Sequence, residues 1–235
     1  MKCKPIEAAF LCLDPAKHKS GAGILIPDYG NGMLGEKEHE FTGNYYLAEY
    51  GKVETQEERG RFVESLLEAS EEYGLAPVVI AEEWDPPVDK KVRLPDGEWV
   101  LVKDPKWTYK TILGIGEGWG LWNAEFEAAS AALHDENFPR LIVERVTPNV
   151  WRDGVFGERR GKGRDENKAT AMRIFEHIFG FAASEDISEA GCIGLWGTCS
   201  PAVEAAVARW HAELDTMTAQ LQAKTRTKTK KKRRK

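Results

Sequence analysis

The sequence predicts a mixed α/β domain in which helices cover one β-sheet. Three observations carry the prediction. Three strand-like runs come in succession before any helix; a helical stretch then crosses to a fourth apolar run; and helical patterning fills much of the second half. Short polar links suit antiparallel neighbours, whereas a helical crossover delivers a parallel strand, so the sheet is mixed.

Taken in order, residues 6–13 form the first strand, with an apolar run from Ala8 to Leu13. A polar turn over 14–20 leads to a second strand at 21–26, and 45–50 is a third. The glycine-rich segment 28–35 and its acidic neighbour 36–40 read as loop. Residues 55–73 are helical, because Phe62, Leu66 and Leu67 recur on one face among Glu and Arg, and Gly74 caps the end. Pro77 opens the fourth strand, 78–82. Residues 91–94 and 98–102 flank Pro95-Asp96-Gly97, which marks a β-hairpin inserted at 85–106.

Residues 107–134 read as helix despite Gly114, Gly116, Gly118 and Gly120. These glycines do not lead from a strand into a helix, as a nucleotide-binding loop requires, so close helix packing is the better reading. The aromatics Trp107, Tyr109, Trp119 and Trp122 read as core or interface, with stacking on unpaired bases as the alternative. Residues 139–146 are a fifth strand, with Leu141, Val143 and Arg145 on one face and Ile142, Glu144 and Val146 on the other. The segment 153–165 is glycine-rich and basic and reads as a mobile loop. Residues 167–179 and 188–223 are helical, broken at 197–201.

At 235 residues, 42% hydrophobic and 30% charged, the chain suits one globular domain, residues 1–223. No apolar run approaches the roughly 20 residues that span a bilayer, and the N-terminus lacks a signal-like apolar region. Cys3, Cys12, Cys192 and Cys199 show no disulfide-framework spacing and read as reduced thiols, which places the chain in the cytoplasm or at the nucleoid. The net charge of −5 hides an asymmetry. Residues 224–235 hold nine basic residues and no acid, so the other 223 residues carry −14. That tail reads as disordered, a tether with salt-dependent affinity for nucleic acid.

Candidate chemistry lies where apolar runs end. Asp14 ends the first run, Glu82-Glu83 end the fourth, and Asp186 and Glu189 sit three apart at the head of a helix. A buried, unpaired carboxylate costs several kcal/mol, so such acids are poor core residues. Acids at i and i+3 share one helical face. Four such acids supply the hard oxygen donors that Mg²⁺ prefers. Two ions about 3.5–4 Å apart can activate a water and stabilise the leaving oxygen of a phosphodiester. Each acid also has an ordinary reading: Asp14 in a turn before Pro15, Asp186 as a helix N-cap, Glu189 as its capping-box partner. Glu82 and Glu83 point to opposite faces, so only one joins the cluster, and Glu82 is preferred.

Together, LCLDPAKHKSGAGIL (11–25), VVIAEEW (78–84), VERVTPNVWRDGVFGERRGKGRDENKATAMRIFEHIFG (143–180) and EDISEAGCIGLW (185–196) resemble the RuvC-type Holliday-junction resolvases of the RNase H-like superfamily. The resemblance spans residues 6 to about 200, and the insertion and basic tail outside it fit a phage-type member. It implies an RNase H-like fold with a β-hairpin insertion. It implies that Asp14, Glu82, Asp186 and Glu189 hold two Mg²⁺ ions per site, with Mn²⁺ able to substitute. Lys168 matches a basic residue that faces the scissile phosphate, with Arg164 and Lys162 next in line; Arg152, Arg159 and Arg160 are expected to grip the DNA backbone. It further implies a homodimer, with Gly114 and Gly118 near the interface, that nicks four-way junctions symmetrically. Glu189 stands where the family usually has Asp, and Pro15-Ala16 replaces the usual Pro-Gly. The other classes are a nuclease for flaps or RNA–DNA hybrids, a non-catalytic junction binder, and a sugar-kinase-like ATPase. For the last, no second phosphate loop is found.

Overall fold

Apolar residues on both faces of a strand mark it for the centre of a covered sheet, and the first strand has them throughout. The computed structural model describes residues 6–15, 20–28, 44–83, 90–93, 98–102, 109–159, 161 and 163–232. In chain order the elements are β1 (Ala8–Asp14), β2 (Ser20–Asp28), β3 (Asn44–Val53), α1 (Gln56–Tyr73), β4 (Ala76–Glu82), β5 (Lys90–Arg93), β6 (Trp99–Val102), α2 (Tyr109–Asp135), β7 (Ile142–Val146), α3 (Pro148–Phe156), a 3-10 turn (Gly157–Arg159), α4 (Arg164–Phe179), α5 (Glu185–Gly197) and α6 (Pro201–Lys232). The main sheet has the order β3-β2-β1-β4-β7. β1 is antiparallel to β2 and parallel to β4; β2 is antiparallel to β3, and β4 is parallel to β7. This is the mixed, helix-covered α/β architecture that the sequence predicts. The inserted hairpin is present as the separate antiparallel pair β5–β6. Among the described residues, no helix is long and apolar enough to cross a membrane.

α1 starts where Thr55 and Glu58 form a reciprocal capping box and stops at Gly74, whose φ of 65° suits a residue without Cβ. It delivers the chain to β4, beside β1. One sheet face carries Ala9, Leu11 and Leu13 of β1 and packs against Phe62, Val63 and Leu66 of α1 and Trp122 and Phe126 of α2. The opposite face carries Phe10 and Cys12 of β1 and Val78 and Ile80 of β4, beneath α5 and flanked by α3, α4 and α6.

α5 lies directly on that second face because glycines remove the intervening side chains. A Cβ on Gly194 would sit 2.2 Å from Cys12 Sγ, and one on Gly197 2.7 Å from Ile80 Cγ1. At the other end of the helix, a Cβ on Gly21 of β2 would lie 2.0 Å from the Asp186 carbonyl oxygen. No other residue type fits at such a contact without backbone movement.

The edge strand β3 carries a bulge. Glu49 pairs with Ile24 and Leu47 with Leu25, leaving Ala48 extra. An extra residue reverses the alternation of faces. Before the bulge, Tyr45 and Leu47 join the core on the α5 side. Beyond it, Glu49 turns to α1 and pairs with Arg61 at 3.0 Å. Tyr50 and Lys52 are thereby aimed at the α5 side, onto Phe181 and Asp186.

Three expectations change. The stretch 153–165 is mostly helical, not loop: α3 and the 3-10 turn run to Arg159 and α4 begins at Arg164. Between them, Gly161 donates its N–H to Oδ1 of buried Asn167 at 2.9 Å. α6 runs to Lys232, into the tail expected to lack structure. Once nucleated on the core, a helix propagates cheaply, and the Thr216 and Thr225 hydroxyls bond within it, to the carbonyls of Ala212 and Leu221. Finally, Cys12 and Cys192 are free and buried as expected, but Cys199 is disulfide-bonded. It sits in the turn between α5 and α6 rather than under the sheet, where a sulfur can meet another. Cys3 lies outside the described residues.

Candidate functional site

Two parallel neighbours end side by side, and this builds the site. Leu13 pairs with Ala81, so the next residues, Asp14 and Glu82, emerge together at the carboxyl ends of β1 and β4. Both continue the Cys12–Ile80 side of the sheet and so face α5. Glu83 points the other way, its backbone N–H bonding to the Val146 carbonyl at 2.7 Å. Gly21, opposite Asp14 in the register, is the seat on which the first turn of α5 rests. That contact brings Asp186 over the strand ends. Glu189, one turn later, is only 5% exposed.

The four acids feel one another. Burial raises the Asp14 carboxyl well above its ordinary range; Glu82, Glu189 and Asp186 push it further, and Lys168 opposes them. Burial also raises Glu82, with Glu189 adding to the effect, while Trp151, Arg152 and Arg164 hold it down. The capping reading of the α5 acids is not realised. The N-cap is Ser184, and it makes no side-chain cap bond. Asp186 instead pairs with Lys52 at 3.2 Å, and Glu189 with Arg152 at 3.0 Å.

Cations and one indole fill the spaces between the acids. Arg152 Nη2 also lies 3.8 Å from Glu82, and its guanidinium sits 4.9 Å from the Trp151 ring centre. Its Nε is buried and makes no hydrogen bond among the described residues. Trp151 is fully buried and donates from Nε1 to Glu82 Oε2 at 2.7 Å, which fixes that carboxylate. Lys168 pairs with Glu185 at the head of α5. Burial works against its charge, but Glu185 and Glu189 outweigh that and raise its pKa.

Of the residues singled out in the sequence, the structure brings together Asp14, Glu82, Asp186, Glu189, Lys168 and Arg152. Arg152, expected on the DNA backbone, pairs here with Glu189 and lies near Glu82. Arg164 is exposed at the start of α4, close enough to act on Glu82 and Lys168. Arg159 is exposed on the 3-10 turn, where its carbonyl accepts from Thr170. Arg160, Lys162 and Trp107 lie outside the described residues. Trp122 and Trp119 are packed, the first donating to Ser20 Oγ at 3.1 Å and the second lying under Arg145 at 4.7 Å. Sequence reasoning missed Lys52, Glu185 and the role of Trp151. Only Trp151 left a signal, its spacing after Thr147-Pro148; Lys52 depends on the bulge.

The donor set suits a hard divalent cation, since it is all carboxylate and its mutual repulsion needs positive charge. Among the described residues, no three His, Cys, Asp or Glu side chains converge on one point closely enough to hold an ion as placed. Arg152 and Lys52 supply the positive charge instead.

Neither protein-family models nor characterised sequences give a match. Among solved structures, the chain is similar to RuvC of T. thermophilus in complex with a Holliday junction substrate, at 12% identity and a TM-score of 0.46, covering 80% of this chain and 92% of that one. A second Thermus thermophilus RuvC structure gives 16% identity, a TM-score of 0.45 and the same coverage. The yeast mitochondrial Holliday junction resolvase gives 8% identity and a TM-score of 0.40, over 92% of this chain and 85% of that one. All three likenesses are distant.

Proposed function

We propose that the chain is a metal-dependent endonuclease that cuts branched DNA, four-way junctions above all, by hydrolysing phosphodiesters. One observation carries the reading: acids from β1, β4 and α5, elements far apart in sequence, meet at one end of the sheet with Lys168 beside them. The sequence motifs resembling junction resolvases supply the substrate class.

Asp14, Glu82, Asp186 and Glu189 would hold the metal. Bound divalent cations, Mg²⁺ by preference and Mn²⁺ in its place, supply Lewis-acid activation of the phosphodiester and of the attacking water. The protein's own groups do the rest. Trp151 holds Glu82 in one orientation. Lys168 offers a charged ammonium to the phosphoryl oxygens, where charge develops in the transition state. Arg164 and Arg159 would meet the DNA backbone on its approach, the role that the sequence also suggests for Arg160 and Lys162. Arg152 and Lys52 neutralise the acids before metal arrives. The basic end of α6 adds sequence-independent affinity. A two-fold dimer, with α2 at its interface, would present two such sites to a two-fold junction and nick it symmetrically.

The test is cleavage of end-labelled four-way, three-way, flap, RNA–DNA hybrid and linear DNA substrates with Mg²⁺, Mn²⁺ or EDTA. Paired nicks on junctions that need the metal, and that vanish with folded Asp14→Asn, are expected. Cutting of hybrids but not of junctions would overturn the substrate assignment. Unchanged cutting by Asp14→Asn would overturn the site.

A further inference from the structure

Beside the acids lies an aromatic shelf that the cleavage chemistry does not use. Tyr50 on β3 is 47% exposed, although a ring of that size is ordinarily packed away. It is propped, not loose. Its ring lies 4.7 Å from that of Phe181 at 32°, and Phe181 stands edge-on at 5.2 Å against Phe175, which is fully buried. A ladder of rings thus runs from the core to an open face.

Position gives the shelf a meaning. β3 ends the sheet, so among the described residues no strand pairs with its outer side. Tyr50 and Lys52 share a face, about 6.6–6.8 Å apart along the strand. Lys52 in turn touches Asp186, one of the four acids, at 3.2 Å. An exposed ring, then a cation, then the acid cluster follow one another across the α5 side of the sheet. That is the order of groups met by a nucleic-acid strand whose base stacks on the ring while its phosphates pass the lysine toward the acids. A flat, half-open ring beside a cation accepts any nucleobase by stacking. Bases inside a duplex are already stacked and paired, so only an unpaired base can use the shelf.

We propose that Tyr50, propped by Phe181, is a stacking site for an unpaired nucleobase at the branch point of the DNA substrate. The proposal rests on the nuclease reading and deepens it: the shelf selects branched over linear DNA. Tyr50 is on the surface, so its replacement leaves the core intact, and Tyr50→Phe keeps the ring.

The test uses metal-free protein, in EDTA, so that no cutting intervenes. Four-way and linear DNAs carry 2-aminopurine at successive positions around the branch. In the wild type, fluorescence at one or two branch-point positions should fall on binding. Tyr50→Phe should preserve that quenching. Tyr50→Leu should abolish it and weaken junction binding about tenfold or more, with linear-duplex affinity unchanged. If Tyr50→Leu retains both quenching and junction affinity, the shelf is overturned while the nuclease reading stands. If the wild type does not prefer branched to linear DNA, the junction reading and the shelf fall together.

Discussion

The two faces of the central sheet are built by different rules. Toward α1 and α2, the strands meet large side chains, Phe62, Leu66, Trp122 and Phe126, in an ordinary apolar layer. Toward α5, Gly194, Gly197 and Gly21 let helix and strands touch backbone to side chain or backbone to backbone. The first face meets its helices through a layer of large side chains. The second meets α5 directly at the glycines, and it carries all four acids. A site made of residues from three separate elements must be held within a fraction of an ångström, and direct contact between helix and strands fixes their spacing.

The largest effect should come from the first face and leave the site alone. Leu66→Ala removes a fully buried side chain, which should cost about 2–5 kcal/mol of stability in urea unfolding. Single-turnover cutting by the protein that remains folded should stay within about threefold. A hundredfold loss there would show that the faces are not separable. Gly21→Ala should do the reverse. It forces Asp186 away from the strand ends at a cost of about 1–3 kcal/mol, and cutting should fall roughly a hundredfold. Retained cutting would mean that the seat under α5 does not set the acids' position.

Trp151→Phe sharpens the comparison on a smaller scale. It keeps most of the packing but removes the donor to Glu82. Cutting should fall about 10–100-fold and metal affinity, read by calorimetry, in step. The smallest effect concerns pH. Asp14 and Glu82 have raised carboxyl pKa values in the folded protein. The folded state therefore holds protons that the unfolded chain has released, so stability falls as pH rises from the unfolded value, about 4, through the folded one. In EDTA the melting temperature should decline across that window. Asp14→Asn should flatten the decline and melt a few degrees higher at neutral pH, although inactive. A wild-type melting curve independent of pH would remove the case for crowded acids.

Much of this was legible in the sequence, and the reasons differ by residue. Asp14 and Glu82 stand out because strand periodicity and strand ends are local signals. Asp186 and Glu189 needed the motif context, since their spacing alone also fits a cap. Lys52 was invisible, because its aim depends on the one-residue bulge at Ala48, which alternation cannot register. The charge of Arg152 is legible in the sequence, but its ion pair with Glu189, 37 residues away, is not. The segment 153–165 was misread because glycine and charge suggest a loop, whereas Trp151 and Phe156 anchor a helix there.

α6 bears a consequence of its own. Beyond Met217, its described side chains are exposed, and the helix continues to Lys232. At 1.5 Å per residue, that is an arm of about 22 Å. A flexible tether sweeps a volume and tolerates any small change in its length. A helical arm holds its backbone to one length and one heading. Inserting a single alanine after Met217 would rotate everything beyond it by about 100°, while a full seven-residue insertion would nearly restore the heading. Affinity for DNA that rises and falls with helical phase would identify α6 as a protractor, setting the angle at which DNA is met.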